Sequence, residues 1–321
     1  MGVLAGCPIA MGALCLAVIE PMDILMREVP NALADIKVYV DDFTITHRVD
    51  GKQSPYNAAQ QLAGIVARLH ELLATVHLYC SVDKNQVLTN SLNYQQIVTH
   101  ALAQWKYQPV ETTKLLGVDY AGGKTIDYNH ANQRLEKAKS ATERMKVYDI
   151  KGVNITNAAR AHTAGATQYG IMTTGMPTTI LKDVTRTIRS TTSTIAQGGS
   201  ATIDLLTQRS RYMHPSYAAH LNPLMKWATS IHQVIVDGER KHHVLTEAAK
   251  TRNKMKAAFN TQFEEVASAQ DPWKHVKGPT SAMIATLLRI KWFPADYDTW
   301  LTDDNETIDL TVLIPYMLTP K

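Results

Sequence analysis

The chain has 321 residues, with 33 Lys and Arg against 29 Asp and Glu for a formal net charge of +4. That length suffices for two or three packed units, and a 45% hydrophobic, 19% charged composition excludes a disordered or fibrous chain. Three cysteines without paired spacing (Cys7, Cys15, Cys80) exclude a disulfide framework and a zinc ribbon, and imply a reducing compartment, nuclear or cytoplasmic.

The chain opens with Gly2-Val3-Leu4-Ala5-Gly6-Cys7-Pro8-Ile9-Ala10, a Gly-rich turn running into an apolar helix. Glycines there let a backbone approach a ligand closely, because no Cβ intervenes. The apolar run 3–19 precedes the first basic residue, Arg27, so it lacks the basic leader of a secretory signal. At about 17 residues and broken by Pro8 it is short for a membrane span. It reads as a buried helix of a protein that is neither secreted nor membrane-bound, with Cys7 and Cys15 as packed thiols.

An apolar run over 36–40 leads into Asp41 and Asp42, and an alternating run over 43–46 follows, the pattern of a tight β-hairpin with an acidic tip. Two adjacent carboxylates are either a solvated turn or oxygen ligands for a hard cation. A helix is expected over 55–76. Next come Leu78-Tyr79-Cys80-Ser81-Val82-Asp83-Lys84-Asn85-Gln86-Val87 and a strand over 114–120 that ends near Gly122 and Gly123.

Charge is sorted along the chain. Residues 1–130 hold 9 basic and 12 acidic groups, 131–260 hold 19 and 8, and 261–321 hold 5 and 9. The basic middle is expected to be helical. Over 131–148, Leu135, Ala138, Ala141, Thr142 and Met145 share one face, with Arg134, Lys137, Lys139, Arg144 and Lys146 elsewhere. Further helices are expected over 157–169, 180–196, 201–212, 223–236 and 244–263, with a loop over 197–200. Arg186 and Arg189 stand three apart, so both can reach phosphates from one face. Lys250, Arg252, Lys254 and Lys256 read as a solvated outer face. After Gly278-Pro279, an apolar helix over 281–290 precedes a hairpin whose turn holds Asp303, Asp304 and Asn305.

Four of these blocks, in order and spacing, resemble the palm of reverse transcriptases (RNA-directed DNA polymerases) of non-LTR retroelement and group II intron type. The resemblance covers about residues 2–125. The opening stretch is similar to the family's Gly-Val-Arg-Gln-Gly-Cys-Pro-Leu-Ser block, and Tyr39-Val40-Asp41-Asp42 to its metal-binding hairpin. The stretch 78–87 is similar to the block whose lysine lies near the leaving pyrophosphate, and Leu115-Leu116-Gly117 to the primer grip. The resemblance implies Asp41 and Asp42 as Mg²⁺ ligands, with Mn²⁺ as a substitute, and Lys84 as the third catalytic residue. Gly2, Gly6, Tyr39, Leu116 and Gly117 would contact substrate. Lys137, Arg144, Arg186 and Arg189 would contact nucleic acid from a thumb. The implied fold is α+β: a partial right-hand palm over 1–125, a mainly helical thumb-like region over 126–260 and a small C-terminal unit over 261–321. The implied partners are an RNA template with its DNA primer, a deoxynucleoside triphosphate and other parts of the same retroelement protein.

The chain departs from the family pattern. Leu4 and Ala5 replace an Arg or Pro and a Gln, and Ala10 replaces a Ser. The family's other metal-binding aspartate lies on a strand ahead of the Gly-rich block, which here begins one residue after Met1. The expectation is therefore a reverse-transcriptase fragment that does not polymerise alone; the alternative is a non-catalytic nucleic-acid-binding relic or domesticated protein.

Overall fold

The computed structural model describes residues 10–29, 34–39, 42–47, 49, 52–115, 118–122, 125–150, 156–192, 214–240 and 245–312. The protein is a mixed α+β chain, mainly helical with small sheets, and it divides into two units, Met1–Thr113 and Lys114–Lys321. The expected loop over 197–200 and helix over 201–212 lie outside the described residues.

In the first unit, β1 (Ala34–Tyr39) and β2 (Asp42–His47) form an antiparallel ladder from Ala34↔His47 to Tyr39↔Asp42. Period-two alternation sorts its side chains. Ala34, Ile36, Val38, Phe43 and Ile45 pack with Val18, Met22 and Leu25 of α1 (Ala10–Glu28) and with Leu69 and Leu73 of α2 (Pro55–Thr75). By register, Asp35, Lys37, Tyr39, Asp42, Thr44 and Thr46 take the opposite face. Burial of each large aliphatic side chain contributes about 1.5–3 kcal/mol, so this one-sided pattern fixes the register.

Ser54 starts α2 by accepting from the Asn57 amide at 3.2 Å, with Pro55 in the first turn. A second face of the same helix (Ala59, Ala63, Val66) packs with Val98 of α3 (Leu92–Ala101) and Val87 of β3 (Gln86–Leu88). β3 runs parallel to β4 (Gln108–Val110), and the Gln95 amide donates to the carbonyls of Val87 at 3.1 Å and Val110 at 2.7 Å. Arg68 of α2 grips Glu28 of α1 with both arms, at 2.7 and 2.8 Å. Cys15, expected to pack, is exposed. It lies on the outer side of α1 beside Leu16 and Ile19, which are 75% and 54% exposed.

The strand expected over 114–120 is two: β5 (Thr112–Leu115) and β6 (Val118–Ala121), paired in a two-stranded sheet. An apolar run shows extended backbone but not where it breaks. In the second unit, α4 (Asn129–Ile150) buries Leu135, Ala138, Ala141 and Thr142, the face expected from helical spacing. It packs with α5 (Thr156–Gln168) and α7 (Thr178–Thr192); a four-residue α6 (Ile171–Thr174) lies between those two in the chain. Then come α8 (Pro215–Arg240), which holds Pro223 inside it, α9 (Leu245–Ala267) and α10 (Pro279–Arg289).

The chain ends its described part in a three-stranded antiparallel sheet, β7 (Phe293–Asp296), β8 (Thr299–Leu301) and β9 (Thr307–Asp309). One apolar core runs from Ile126 to Leu310 and includes fully buried Trp300. Asp303 and Asp304 lie in the turn between β8 and β9, closed by the Asn305 amide on the Thr302 carbonyl at 3.0 Å. Gly175 has φ +66°, and a Cβ there would stand 2.5 Å from the Trp273 ring, so only glycine fits.

Candidate functional site

The acidic hairpin comes first. Tyr39 and Asp42 are cross-strand partners at the last described pair of the ladder, on the face turned away from α1 and α2. Tyr39 is 62% exposed and Asp42 is exposed. Two positions down the same face, Asp35 pairs with Lys37 at 3.3 Å. Val40 and Asp41 lie outside the described residues, as do Gly2, Gly6, Leu116 and Gly117.

Asp42 offers a hard oxygen donor at a solvent-facing position that no ion pair with another described residue takes up. Such an oxygen donor suits a hard cation such as Mg²⁺ or Mn²⁺ and not a soft metal. Among the described residues no group of three or more His, Cys, Asp or Glu side chains clusters, and β1–β2 has no third strand.

Lys84 closes a 3-10 turn, Val82–Lys84, and is exposed. Its amide bonds the Ser81 carbonyl at 3.1 Å, and the next residue, Asn85, is tied to the Trp105 carbonyl at 3.1 Å. Nearby in the same unit, burial holds His70 below its usual pKa; its ring stacks on Trp105 with centroids 5.4 Å apart. Burial also pushes the Tyr107 hydroxyl up to about 12. These rings pack against one another between α2 and the segment before β4.

In the second unit, the cations expected to meet nucleic acid fall into two groups. Lys137 and Arg144 of α4 are exposed and line one open cleft of about 400 Å³ with His162 of α5. Arg186 of α7 is held by Asp183 at 3.2 Å, and Arg189 is half-buried. Arg134 is not a free cation. It lies 5.7 Å from the Tyr169 ring, donates to the Tyr169 carbonyl at 3.2 Å, and is lowered in pKa by desolvation.

Three residues escaped the sequence reading. Asp119 projects from β6 to the start of α4, where its carboxylate accepts from the His130 and Ala131 amides at 3.2 and 3.3 Å. Arg289, at the end of α10, lies 4.5 Å from the Trp273 ring and donates to the Ala219 carbonyl at 3.1 Å. Burial lowers its pKa to about 10. Both roles need contacts far apart in sequence and leave no local signal. His162 sits in an Ala-rich helix, and only the packing of α5 on α4 puts it beside Lys137 and Arg144.

Among the described residues, no helix is long and apolar enough to cross a membrane. Comparison with family models, with curated proteins and with solved structures finds no match.

Proposed function

We propose that this chain is a reverse-transcriptase segment, with its first unit a palm remnant and the helices of its second unit a thumb-like, nucleic-acid-binding region. The carrying observation is the β1–β2 hairpin. Its register closes at Tyr39↔Asp42, its apolar side packs on α1 and α2, and its acidic end faces solvent. A carboxylate, Asp42, kept exposed at the last described pair of a ladder with a one-sided core is the kind of donor a metal-dependent phosphoryl-transfer site needs.

Asp41 and Asp42 are the residues to hold Mg²⁺, whose chemistry when bound is to acidify an attacking hydroxyl and offset charge on the phosphate oxygens. Tyr39, exposed beside Asp42, offers an aromatic face to a primer terminus. Lys84 offers a mobile cation to a departing pyrophosphate. The hairpin supplies one acidic element, whereas a two-ion site draws on carboxylates from more than one strand. β1–β2 is two-stranded among the described residues. On this reading the chain by itself is expected not to extend a primer.

The test uses the whole chain. Millimolar Mn²⁺ is expected to broaden the amide resonances of Tyr39 and Asp42 selectively, and Asp41→Asn with Asp42→Asn abolishes this. An oligo(dT)–poly(rA) substrate with Mg²⁺ and dTTP is expected to stay unextended. Absence of broadening in the native chain refutes the metal site, and Asp41-dependent extension refutes the claim of half a site. A second reading, a non-catalytic nucleic-acid binder, draws on the same two-stranded ladder. Duplex binding with no metal response at the hairpin would select it.

A further inference from the structure

We propose that the groove between α3 and β4 of the first unit seats an extended, uncharged peptide segment of a partner polypeptide, held by its backbone through Gln95, Gln96, Thr99 and His100. Neither metal chemistry at the hairpin nor nucleic-acid binding by the second unit enters into this.

The groove is open and of about 560 Å³, within the size range of built ligand sites. One face of α3 supplies its polar side: Gln95, Gln96, Thr99 and His100, which form two i,i+4 pairs. Leu92, which is 59% exposed, joins Ala103 and Pro109 of β4 in its apolar lining. Among the described residues no Asp, Glu, Lys or Arg lines the groove, so it has nothing to offset the charge of an ionic ligand.

Gln95 decides which polar group the groove asks for. It is only 8% exposed, and both hydrogens of its amide nitrogen are taken up by the carbonyls of Val87 and Val110. Those two bonds fix the amide's orientation and leave Oε1 as an acceptor without a partner among the described residues. Thr99 lies one turn further on, and its hydroxyl is buried with no partner. Thr185, Thr187 and Thr286 instead return theirs to the carbonyl four residues back, at 2.7, 2.8 and 2.6 Å. A helical threonine has two χ1 wells, so this hydroxyl can turn to a ligand without distorting α3. Unmet polar groups in buried positions are costly, and a partner arriving in the groove relieves them.

Spacing selects the ligand. Residues four apart on a helix stand about 6 Å apart along its axis. The N–H groups on one edge of an extended chain recur every second residue, at about 6.6 Å. Successive N–H groups of a strand thus match Gln95 Oε1 and the Thr99 hydroxyl. The carbonyls on the same edge match the amide of Gln96 and the ring of His100, an exposed pair with the same spacing. From Leu92 to Ala103 the face runs about 16 Å, room for about five extended residues. A compact amide would meet one pair of groups and leave the other.

Fluorescence anisotropy of the whole chain with a labelled, end-capped pentapeptide of alternating threonine and valine reads the binding. The fully N-methylated peptide keeps the side chains but has no N–H donors, and is expected not to bind. Thr99→Val and Gln96→Ala are each expected to weaken binding roughly threefold to tenfold, the loss of one hydrogen bond. Thr99→Val is also expected to raise Tm, because it removes an unmet hydroxyl and keeps the branched shape. A chain that is stabilised and yet binds less cannot be a misfolded one. Gln61→Ala, on the exposed side of α2, is the control and leaves affinity unchanged.

If the N-methylated peptide binds as well as its parent, backbone recognition fails and the proposal with it. If Thr99→Val leaves affinity unchanged, or lowers Tm, the assignment of its hydroxyl to a ligand is overturned. If N-methylacetamide shifts the Gln96 and Thr99 resonances but the pentapeptide does not bind, the groove takes small amides and the proposal is overturned. Tighter binding of a peptide with lysine or glutamate in place of threonine would refute the claim of an uncharged ligand.

Discussion

Lowering the pH from 7 should destabilise the second unit through His220, and Gln at that position should relieve much of the loss. The ring lies on α8, close enough to Arg289 of α10 and to His214 at the head of α8 to feel both charges, and its Nε2 is buried without a partner among the described residues. Burial first, then Arg289 and His214, push its pKa from 6.5 down to about 4. The folded state thus resists a proton that the unfolded chain accepts. The unfolded state binds more protons between those two values, so stability falls as pH drops through about 6.5 and levels off near 4.

Each pH unit of that window is worth at most about 1.4 kcal/mol, a ceiling of roughly 3.4 kcal/mol. The ring is only partly buried, and solvent screening reduces the figure to about 1–2 kcal/mol. Urea denaturation followed by tryptophan fluorescence is the assay, because Trp227, Trp273, Trp292 and Trp300 all lie in the second unit and only Trp105 in the first. Carboxylates and other histidines titrate in both chains, so the comparison is a difference. Between pH 7 and pH 4.5 the native chain should lose about 1–2 kcal/mol more than His220→Gln. Equal losses in the two chains would refute the argument.

Two further changes probe the core of the second unit. Gly175→Ala combines a left-handed backbone with a Cβ that would sit 2.5 Å from Trp273; a loss of roughly 2–4 kcal/mol in unfolding free energy is expected, and a Tm within a degree of native would contradict it. Asp119→Ala removes the carboxylate that accepts from the first amides of α4; a cost of about 1–2 kcal/mol is expected, with faster hydrogen exchange confined at first to the His130 and Ala131 amides.

The hairpin was legible because its information is local. Alternation of apolar residues over 36–45 assigns one face to the core, and Asp42 falls at the last described pair of the ladder, on the opposite face. The buried stripe of α4 was legible for the same reason, at a different period. The basic residues were not, because composition counts charges without saying which are already engaged. Arg186 and Arg189 looked equivalent to Lys137 and Arg144. Yet Asp183, three residues before Arg186, is an i,i+3 partner that the sequence displays and that the charge count passes over.

The remainder depends on packing between segments far apart in the chain. His162 becomes a neighbour of Lys137 and Arg144 only through the crossing of α4 and α5. Asp119 becomes a cap only because β6 delivers it to a helix start eleven residues later. The same reasoning separates Asp42 from Asp303 and Asp304, although all three adjoin antiparallel ladders. The latter pair belongs to a turn in the small sheet at the end of the second unit, with Asn305 and Thr302 closing it. Asp42 pairs with the exposed Tyr39 on a ladder whose opposite face packs on two helices. On the metal reading proposed above, what sets the first hairpin apart is a carboxylate on a ladder packed against a core on one side and left solvated on the other. That is a property of the whole unit, and no dipeptide carries it.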